Sequence, residues 1–435
     1  MTWILQVVFV AVVAVPIYFL IRRIKQIRSN ILLGKDLDRS DRPSDRWKAM
    51  FLIAFGQKKM FKKPIPAFLH LLIYVGFLVI NLEVLEFLID GLLGTHRIFA
   101  PYLGSFYNVA MNFFELLAFG VLISCIAFLI RRNVIKVPRF TKPEMKGWPA
   151  LDGNLILIIE CVLMFAILKM NAADQVLQSR GVAGYVDTGN LMISSLFIPL
   201  FQNYSDGFLI VIERGAWWFH IIGIFAFAVY VTYSKHLHIF LAFPNTYYSN
   251  LEPKGKIQNM DAVTNEVKSM LGMPVEGAGD PPAEVGTFGA KDATDLSWKS
   301  LMEAYSCTEC GRCTAECPAN QTGKLLSPRK VMMDTRDRIE DIGAGKGEGK
   351  ALLGDFITKE EINACTSCNA CTEACPINID PLSIILEMKR YVAMEESGSP
   401  ASWNSMFSNI ETNFAPWKFS PTDRFNWAQD LNDKN

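Results

Sequence analysis

Net charge is missing from this chain of 435 residues, where 43 lysines and arginines balance 43 aspartates and glutamates. No basic field covers the whole chain, so nothing in it argues for a nucleic-acid partner. Charge is also thin over roughly the first 243 positions, where the apolar residues crowd, while the remainder reads as a polar, cysteine-bearing soluble part. Histidine is scarce, at five residues, and no two of the ten cysteines are adjacent. Eight cysteines fall in two short runs, and the other two, Cys125 and Cys161, lie inside apolar stretches. That distribution argues against a disulfide framework and for a reducing compartment. The glycine-rich patch IGAGKGEGK lacks the Gly-Lys-Ser/Thr ending of a phosphate loop and follows no strand, so it reads as a surface turn.

What the chain does have is concentrated between Cys307 and Cys375. There CTECGRCTAECP is followed by CTSCNACTEACP, each a Cys-x2-Cys-x2-Cys-x3-Cys-Pro run. At this spacing three thiolates of one tight loop reach three corners of a [4Fe-4S] cube, and the fourth cysteine reaches the other cluster. One cluster is expected on Cys307, Cys310, Cys313 and Cys375, and the other on Cys365, Cys368, Cys371 and Cys317. Zinc is the structural alternative, but zinc sites use paired Cys-x2-Cys knuckles and have no need of a terminal Cys-Pro.

Five apolar runs approach the roughly 20 residues that a helix needs to cross a bilayer. They are Trp3 to Ile21, Ile65 to Ile89, Tyr107 to Ile130, Asn154 to Met170 and Ala216 to Phe243. No charge precedes the first and RRIKQIR follows it, the reverse of a cleaved signal peptide, so it reads as a retained helix. Lysine and arginine crowd the segments 22–63 and 131–146, whereas 90–105 holds only Arg97 and 171–215 only Arg180 and Arg214. Cytoplasmic loops collect such residues, which puts the N-terminus outside and both cysteine runs in the cytoplasm. Ile193 to Phe201 is apolar but too short to span and reads as an outer-surface or re-entrant piece.

His70 stands about a turn inside the second span, and His220 and His238 lie on the fifth, 18 residues or five whole turns apart on one face. A bis-imidazole heme b between His70 and His238 is expected at the inner leaflet. His220 marks a second heme position near the outer leaflet, with His96 the remaining outer imidazole; His236 points away from this face and is the weaker candidate. The plain alternative is that these histidines hydrogen-bond between helices, and for His96 that it contacts quinone or sits in a surface loop. Glu83, Glu86 and Glu115 fall within spans, where charge is costly. They gate protons or bind a quinone head group, or reach interfacial water, the reading preferred for Glu86.

Five spans with imidazoles on the second and fifth resemble the cytochrome b subunit, the gamma chain, of respiratory nitrate reductase. From about Trp298 through SCTECGRCTAECPANQTGKLLSPRKV to CNACTEACPINIDPL, the chain resembles the iron-sulfur domain of the heterodisulfide reductase family and related quinone-linked oxidoreductases. The long insertion Leu325 to Ile362 between the runs resembles the alpha-helical ferredoxin of that family and of succinate dehydrogenase. Two departures stand out. The nitrate reductase pattern has two histidines on the second span, where this chain has only His70, and no Cys-Cys-Gly motif is present for a noncubane cluster. The resemblance therefore implies a separate Cys-Cys-Gly subunit as partner.

The expected fold is mainly α: a five-helix transmembrane bundle (1–250), a linker (251–297) rich in Gly, Pro and acid at 273–294, a cytoplasmic alpha-helical ferredoxin domain (298–396) and a C-terminal tail (397–435). A helix is expected over Pro381 to Met394, and Trp417, Phe425 and Trp427 suit the tail to docking. The expected function is a membrane-anchored electron-transfer subunit in the inner membrane of a bacterium. It passes electrons between quinone, menaquinone by expectation, and a cytoplasmic oxidoreductase through heme b, one or two, and two [4Fe-4S] clusters. Membrane lipid, the Cys-Cys-Gly subunit and a flavoprotein are the further partners. The alternative is a heme-free anchor that recruits an iron-sulfur partner.

Overall fold

The computed structural model describes residues 3–275 and 287–429. Five of its helices are long and apolar enough to cross a bilayer, and the chain is a membrane protein. They are α1 (Trp3–Ile31), α2 (Pro64–Leu93), α3 (Ser105–Asn133), α4 (Trp148–Ser179) and α5 (Asp206–Val231). In the bundle α3 packs between α2 and α4, α5 packs on α4, and α1 leans on α5 and α2. Its outer surface exposes Ile4, Val10, Leu82, Phe106, Val162 and Phe219, a surface suited to acyl chains rather than water.

Several helix boundaries differ from those expected, and two of the differences, in the first and fifth spans, place residues at the junction with the cysteine-bearing part. α1 runs ten residues past Ile21 because RRIKQIR is made largely of good helix formers. The extension delivers Arg23 to Glu340, with two donated bonds of 3.0 and 2.7 Å, and Asn30 to the Tyr305 hydroxyl at 2.9 Å. The fifth span, by contrast, starts earlier and stops at Val231. Asp152 of α4 draws the chain out of the helix there: it accepts from the Tyr230 hydroxyl, from Ser234 Oγ at 2.7 Å and from the Lys235 amide at 3.2 Å. A 3-10 turn (Lys235–Leu237) capped by Ser234 follows, and His238 opens a separate helix, α6 (His238–Tyr247). No continuous helix joins His220 to His238, so the two do not share one helical face as expected.

The cysteine-bearing part is helical as well, and no named strand forms among the described residues. Its core is built on α7 (Trp298–Ser306), α8 (Pro328–Gly343) and α9 (Pro381–Met394) and includes Leu301, Val331, Ile339, Leu352, Ile385 and Met388. Ser297, Ser327 and Asp380 cap these helices, and Pro328 and Pro381 occupy first positions where no amide is needed. Ile27 of α1 and Leu237 belong to the same core, so the bundle and the cysteine-bearing part are packed together. Contacts from α1, from the turns before α2 and α4, and from the turn after α5 all lie at one end of the bundle, hereafter the near end.

Residues 287–297, expected as linker, are core: Ala290, Ala293 and Leu296 are buried, and Gly289 approaches the Glu387 carbonyl so closely that a Cβ would stand 2.3 Å from it. Residues 276–286 of the expected linker lie outside the described residues. The patch at 342–350 is a turn whose Gly347 and Lys350 carbonyls accept from Arg338. Ile193 to Phe201 forms two short helical turns at the remote end, with Leu196 and Leu200 exposed. In the tail α10 (Ala401–Asn413) buries no residue, and Trp417, Phe425 and Trp427 are exposed; residues 430–435 lie outside the described residues.

Candidate metal centres

The two cysteine runs repeat one backbone device. Glu309 and Gly311 have φ of 54° and 69°, and the equivalent Ser367 and Asn369 have 57° and 60°. These left-handed residues wrap the chain so that amides face sulfur: Glu309 N–H points at Cys307 Sγ (3.5 Å) and Ser367 N–H at Cys365 Sγ (3.4 Å). At Gly311 a Cβ would stand 2.4 Å from the Arg329 guanidinium. A short helix follows each turn, Arg312–Ala315 and Ala370–Ala374, and the fourth cysteine ends it before a proline.

The sulfurs gather in two groups, each mixing the runs. Cys307, Cys310 and Cys313 line one cavity together with Cys375, and Cys365, Cys368 and Cys371 line the other together with Cys317. The rest of the lining is mostly apolar, including Met332 and Ile379 in the first and Leu326 and Leu382 in the second. All eight thiols are free. Among the described residues no three His, Cys, Asp or Glu side chains converge as ligands of one ion would. Burial pushes the Cys307, Cys371 and Cys375 thiols up to about 12, and Cys313 well above its ordinary value. Loading iron here must expel those protons. The surroundings suit the anionic product: Lys59 donates to the Cys375 carbonyl at 3.3 Å, Lys389 to the Cys365 carbonyl at 2.6 Å, and Ile379 N–H to Cys375 Sγ at 3.2 Å.

The first cavity adjoins the near end of the bundle. Arg312, in its lining, reaches Met60 Sδ at 2.9 Å, and Glu309 is ion-paired with Lys235 and, at 2.8 Å, with Arg336. Arg329, fully buried, donates to the Arg139 carbonyl and to Glu144, two groups of the α3–α4 connection.

At this end stand His70 of α2 and His238 of α6, their ring centroids 6.4 Å apart with planes inclined at 40°. His70 Nδ1 donates to Gln57 Oε1 at 3.1 Å and His238 Nδ1 to the Lys235 carbonyl at 3.2 Å. An imidazole that gives its Nδ1 proton to an oxygen keeps the Nε2 lone pair for a metal. Two metal–nitrogen bonds of about 2 Å, plus about 1 Å from each nitrogen to its ring centre, span about 6 Å, so the pair fits a bis-imidazole iron. His236 packs edge-on against His238 at 5.3 Å and tilted at 42° against Phe227 at 5.7 Å.

The other two expected ligands are not brought together. His220 is buried, its ring packs edge-on against Phe87 at 5.8 Å, and Phe9 and Trp217 fill the same core. His96 sits against Tyr185, with Nε2 3.6 Å from Glu213 and 3.8 Å from Asp174. Sequence reasoning missed Gln57, Lys235 and Glu309. Gln57 gives no local signal, and its role follows only from the fold that sets it under His70.

Residues 303–379 match the family model of the 4Fe-4S dicluster domain. Over 98% of its length the chain is 27% identical to the probable iron-sulfur-binding oxidoreductase FadF of Bacillus subtilis, of which it covers 61%. It is 26% identical over the same share to the EtfAB:quinone oxidoreductase of Syntrophomonas wolfei, of which it covers 60%. A shorter match, 32% identical over 22% of the chain and 49% of the relative, is to one polypeptide of the Ferredoxin/F(420)H(2)-dependent CoB-CoM heterodisulfide reductase of Methanosarcina acetivorans. The chain spans about three fifths of the length of the first two. No solved structure matches it. The chain is thus a five-helix membrane protein with a domain for two [4Fe-4S] clusters, and its relatives are iron-sulfur oxidoreductases.

Proposed function

We propose that the chain is the membrane-bound electron-transfer subunit of a quinone-linked oxidoreductase, connecting quinone, menaquinone in this reading, to a cytoplasmic partner through one heme b and two [4Fe-4S] clusters. The observation that carries the proposal is the His70–His238 pair, facing at 6.4 Å with both Nδ1 atoms engaged, at the end of the bundle that adjoins the Cys307 cavity. The cluster ligands are Cys307, Cys310, Cys313 and Cys375 for the near cluster, and Cys365, Cys368, Cys371 and Cys317 for the far one; the two cavities support this division. When bound, heme and clusters supply one-electron transfer, and the protein sets distance, insulation and potential. Glu309, Ser367 and Ile379 hold amides toward sulfur, and such donors raise a cluster's potential by stabilising its added negative charge.

His220 and His96 do not fit a second bis-imidazole heme, because an aromatic ring faces one and two carboxylates face the other. Lysine and arginine crowd the near-end loops, which supports an outside N-terminus and a cytoplasmic cluster domain in a bacterial inner membrane. The name of the Syntrophomonas relative pairs EtfAB with quinone, which supports quinone at one terminus. At the other we place a flavoprotein or a Cys-Cys-Gly iron-sulfur subunit.

An anaerobic reduced-minus-oxidised spectrum of the purified chain, with heme and iron quantified, tests this. One b-type heme and about eight non-heme irons per chain are expected. Clusters without heme would replace the proposal by a heme-free anchor that recruits an iron-sulfur partner.

A further inference from the structure

The remote end of the bundle holds ionisable side chains that electron transfer leaves unused. Arg97, in the turn after α2 and 4% exposed, donates to Asp174 at 2.6 Å and Asn171 at 2.8 Å on α4, and to the Tyr107 hydroxyl on α3 at 3.2 Å. Tyr107 donates to Glu86 of α2 at 2.6 Å, which explains why Glu86, expected at interfacial water, is buried. Asn171 donates to Glu115 of α3 at 3.0 Å. His96 stands between Asp174 and Glu213 of α5, and Glu213 is also paired with Arg214 and bonded by the Tyr185 hydroxyl at 3.1 Å. The network joins four helices.

Its charges do not balance. Glu83, Glu86, Asp90, Glu115, Asp174 and Glu213 are all 4% exposed or less, and the cations facing them are Arg97, Arg214 and, when protonated, His96. Six carboxyls exceed three cations, and unpaired carboxylates do not persist at this depth. Donated bonds hold several of them as anions. Asp90 accepts from Thr95 Oγ1 and the amides of Arg97 and Ile98, and Glu115 from the amides of Ile193 and Ser194. Glu83 has no such support: among the described residues its buried Oε1 lacks a hydrogen-bond partner, and of the charged groups acting on it Glu86 and Glu115 carry its own sign and Arg97 the opposite one. One turn along α2 it meets Glu86, and exposure then rises through the network to His96 at 17% and Arg214 at 25%.

We infer that Glu83 is a proton-carrying carboxyl at the buried end of a relay of Glu83, Glu86, Tyr107, Asp174 and His96, aligned by the permanently charged Arg97, that exchanges protons with the remote surface. Its cargo rests on the quinone reading. A quinone reduced at this membrane domain takes up two electrons and two protons, and its quinol returns both on oxidation, with electrons passing at the near end and protons through Glu83.

Infrared spectra of the full chain in detergent, in H2O and in D2O, test the inference, because a protonated carboxyl has a C=O stretch apart from carboxylates that shifts on deuteration. A band lost in Glu83→Gln and displaced in Glu83→Asp is the expected result, with Glu83→Asp also serving should Glu83→Gln fail to fold. A carboxyl band unchanged in both variants overturns the inference. Turnover with a soluble menaquinone analogue is the second measurement, expected to fall about 100-fold or more in Glu83→Gln while cluster reduction by dithionite is unaffected. Wild-type protein that shows the Glu83 band without quinone turnover would support the proton site and sink the quinone reading.

Discussion

The near end of the bundle holds three of the chain's five histidines and the remote end two, in opposite circumstances. At the near end His70 and His238 face one another, and an oxygen takes the Nδ1 proton of each. At the remote end His220 is buried with a phenyl ring against it, and His96 presents Nε2 to two carboxylates. A metal needs an imidazole whose tautomer is set by its second nitrogen and whose first nitrogen faces open space. The near pair alone sets two imidazoles opposite one another with both Nδ1 atoms engaged, which supports the proposal that the near end carries electrons. The remote end, with its surplus of acid, is built for protons.

The largest effect should come from removing a near imidazole. His70→Ala or His238→Ala is expected to abolish the b-type signal in the reduced-minus-oxidised spectrum, whereas His220→Ala and His96→Ala should keep the full heme content. Loss of heme in His220→Ala alone would reverse the comparison.

Next in size is the loss of one cluster of two. Cys375 lies in the second run yet lines the cavity of the first, and Cys317 does the opposite. Cys375→Ser should lower non-heme iron from about eight to about four per chain and remove the electron paramagnetic resonance signal of the cluster nearer the heme. Cys317→Ser should remove the other signal. Identical spectra from the two variants would show that the cavities do not divide the ligands as proposed.

A subtler variant separates the pair's geometry from the hydrogen bond that sets the His70 tautomer. Gln57→Leu leaves both imidazoles in place and removes only the acceptor of His70 Nδ1. Heme affinity, measured by titrating the heme-free chain, should fall about 10- to 100-fold. An unchanged affinity would mean that His70 needs no help in choosing its tautomer.

How much of this was legible in the sequence depended on how far apart the cooperating residues lie. The cysteine runs carry their geometry locally, since the turn residues Glu309 and Gly311 sit between the ligands they orient, and the spans declare themselves by length. The end of the fifth span did not, because Asp152, 82 residues before Ser234, competes for the backbone there. The small, glycine-flanked stretch around Ala290 and Ala293 read as linker for a related reason: small residues are used there to let backbones approach, and composition alone does not distinguish that from flexibility. His238 was expected on one helix with His220, a helix that stops at Val231, and the oxygens that take the Nδ1 protons of His70 and His238 could come only from the fold.

The smallest expected effect is a flat line, and it sharpens the comparison at the near end. Burial lowers the His238 imidazole from 6.5 to about 4, and its bond to the Lys235 carbonyl offsets only part of that cost. An imidazole with the ordinary value would be protonated at pH 5, and competition by that proton would weaken heme binding by about thirtyfold. With the value held near 4 the folded-state His238 takes up almost no proton between pH 7 and 5, so its protonation should change heme affinity across that interval by less than about twofold. The unfolded chain does take up a proton near 6.5, so the folded state loses stability as pH falls from there toward 4. Acid should therefore release heme by unfolding the near end, with heme loss and loss of helical signal coinciding, rather than by protonating a ligand in an intact fold. Heme release that precedes any loss of helix, with a midpoint near 6.5, would show that water reaches His238, and the insulated near end would have to be redrawn.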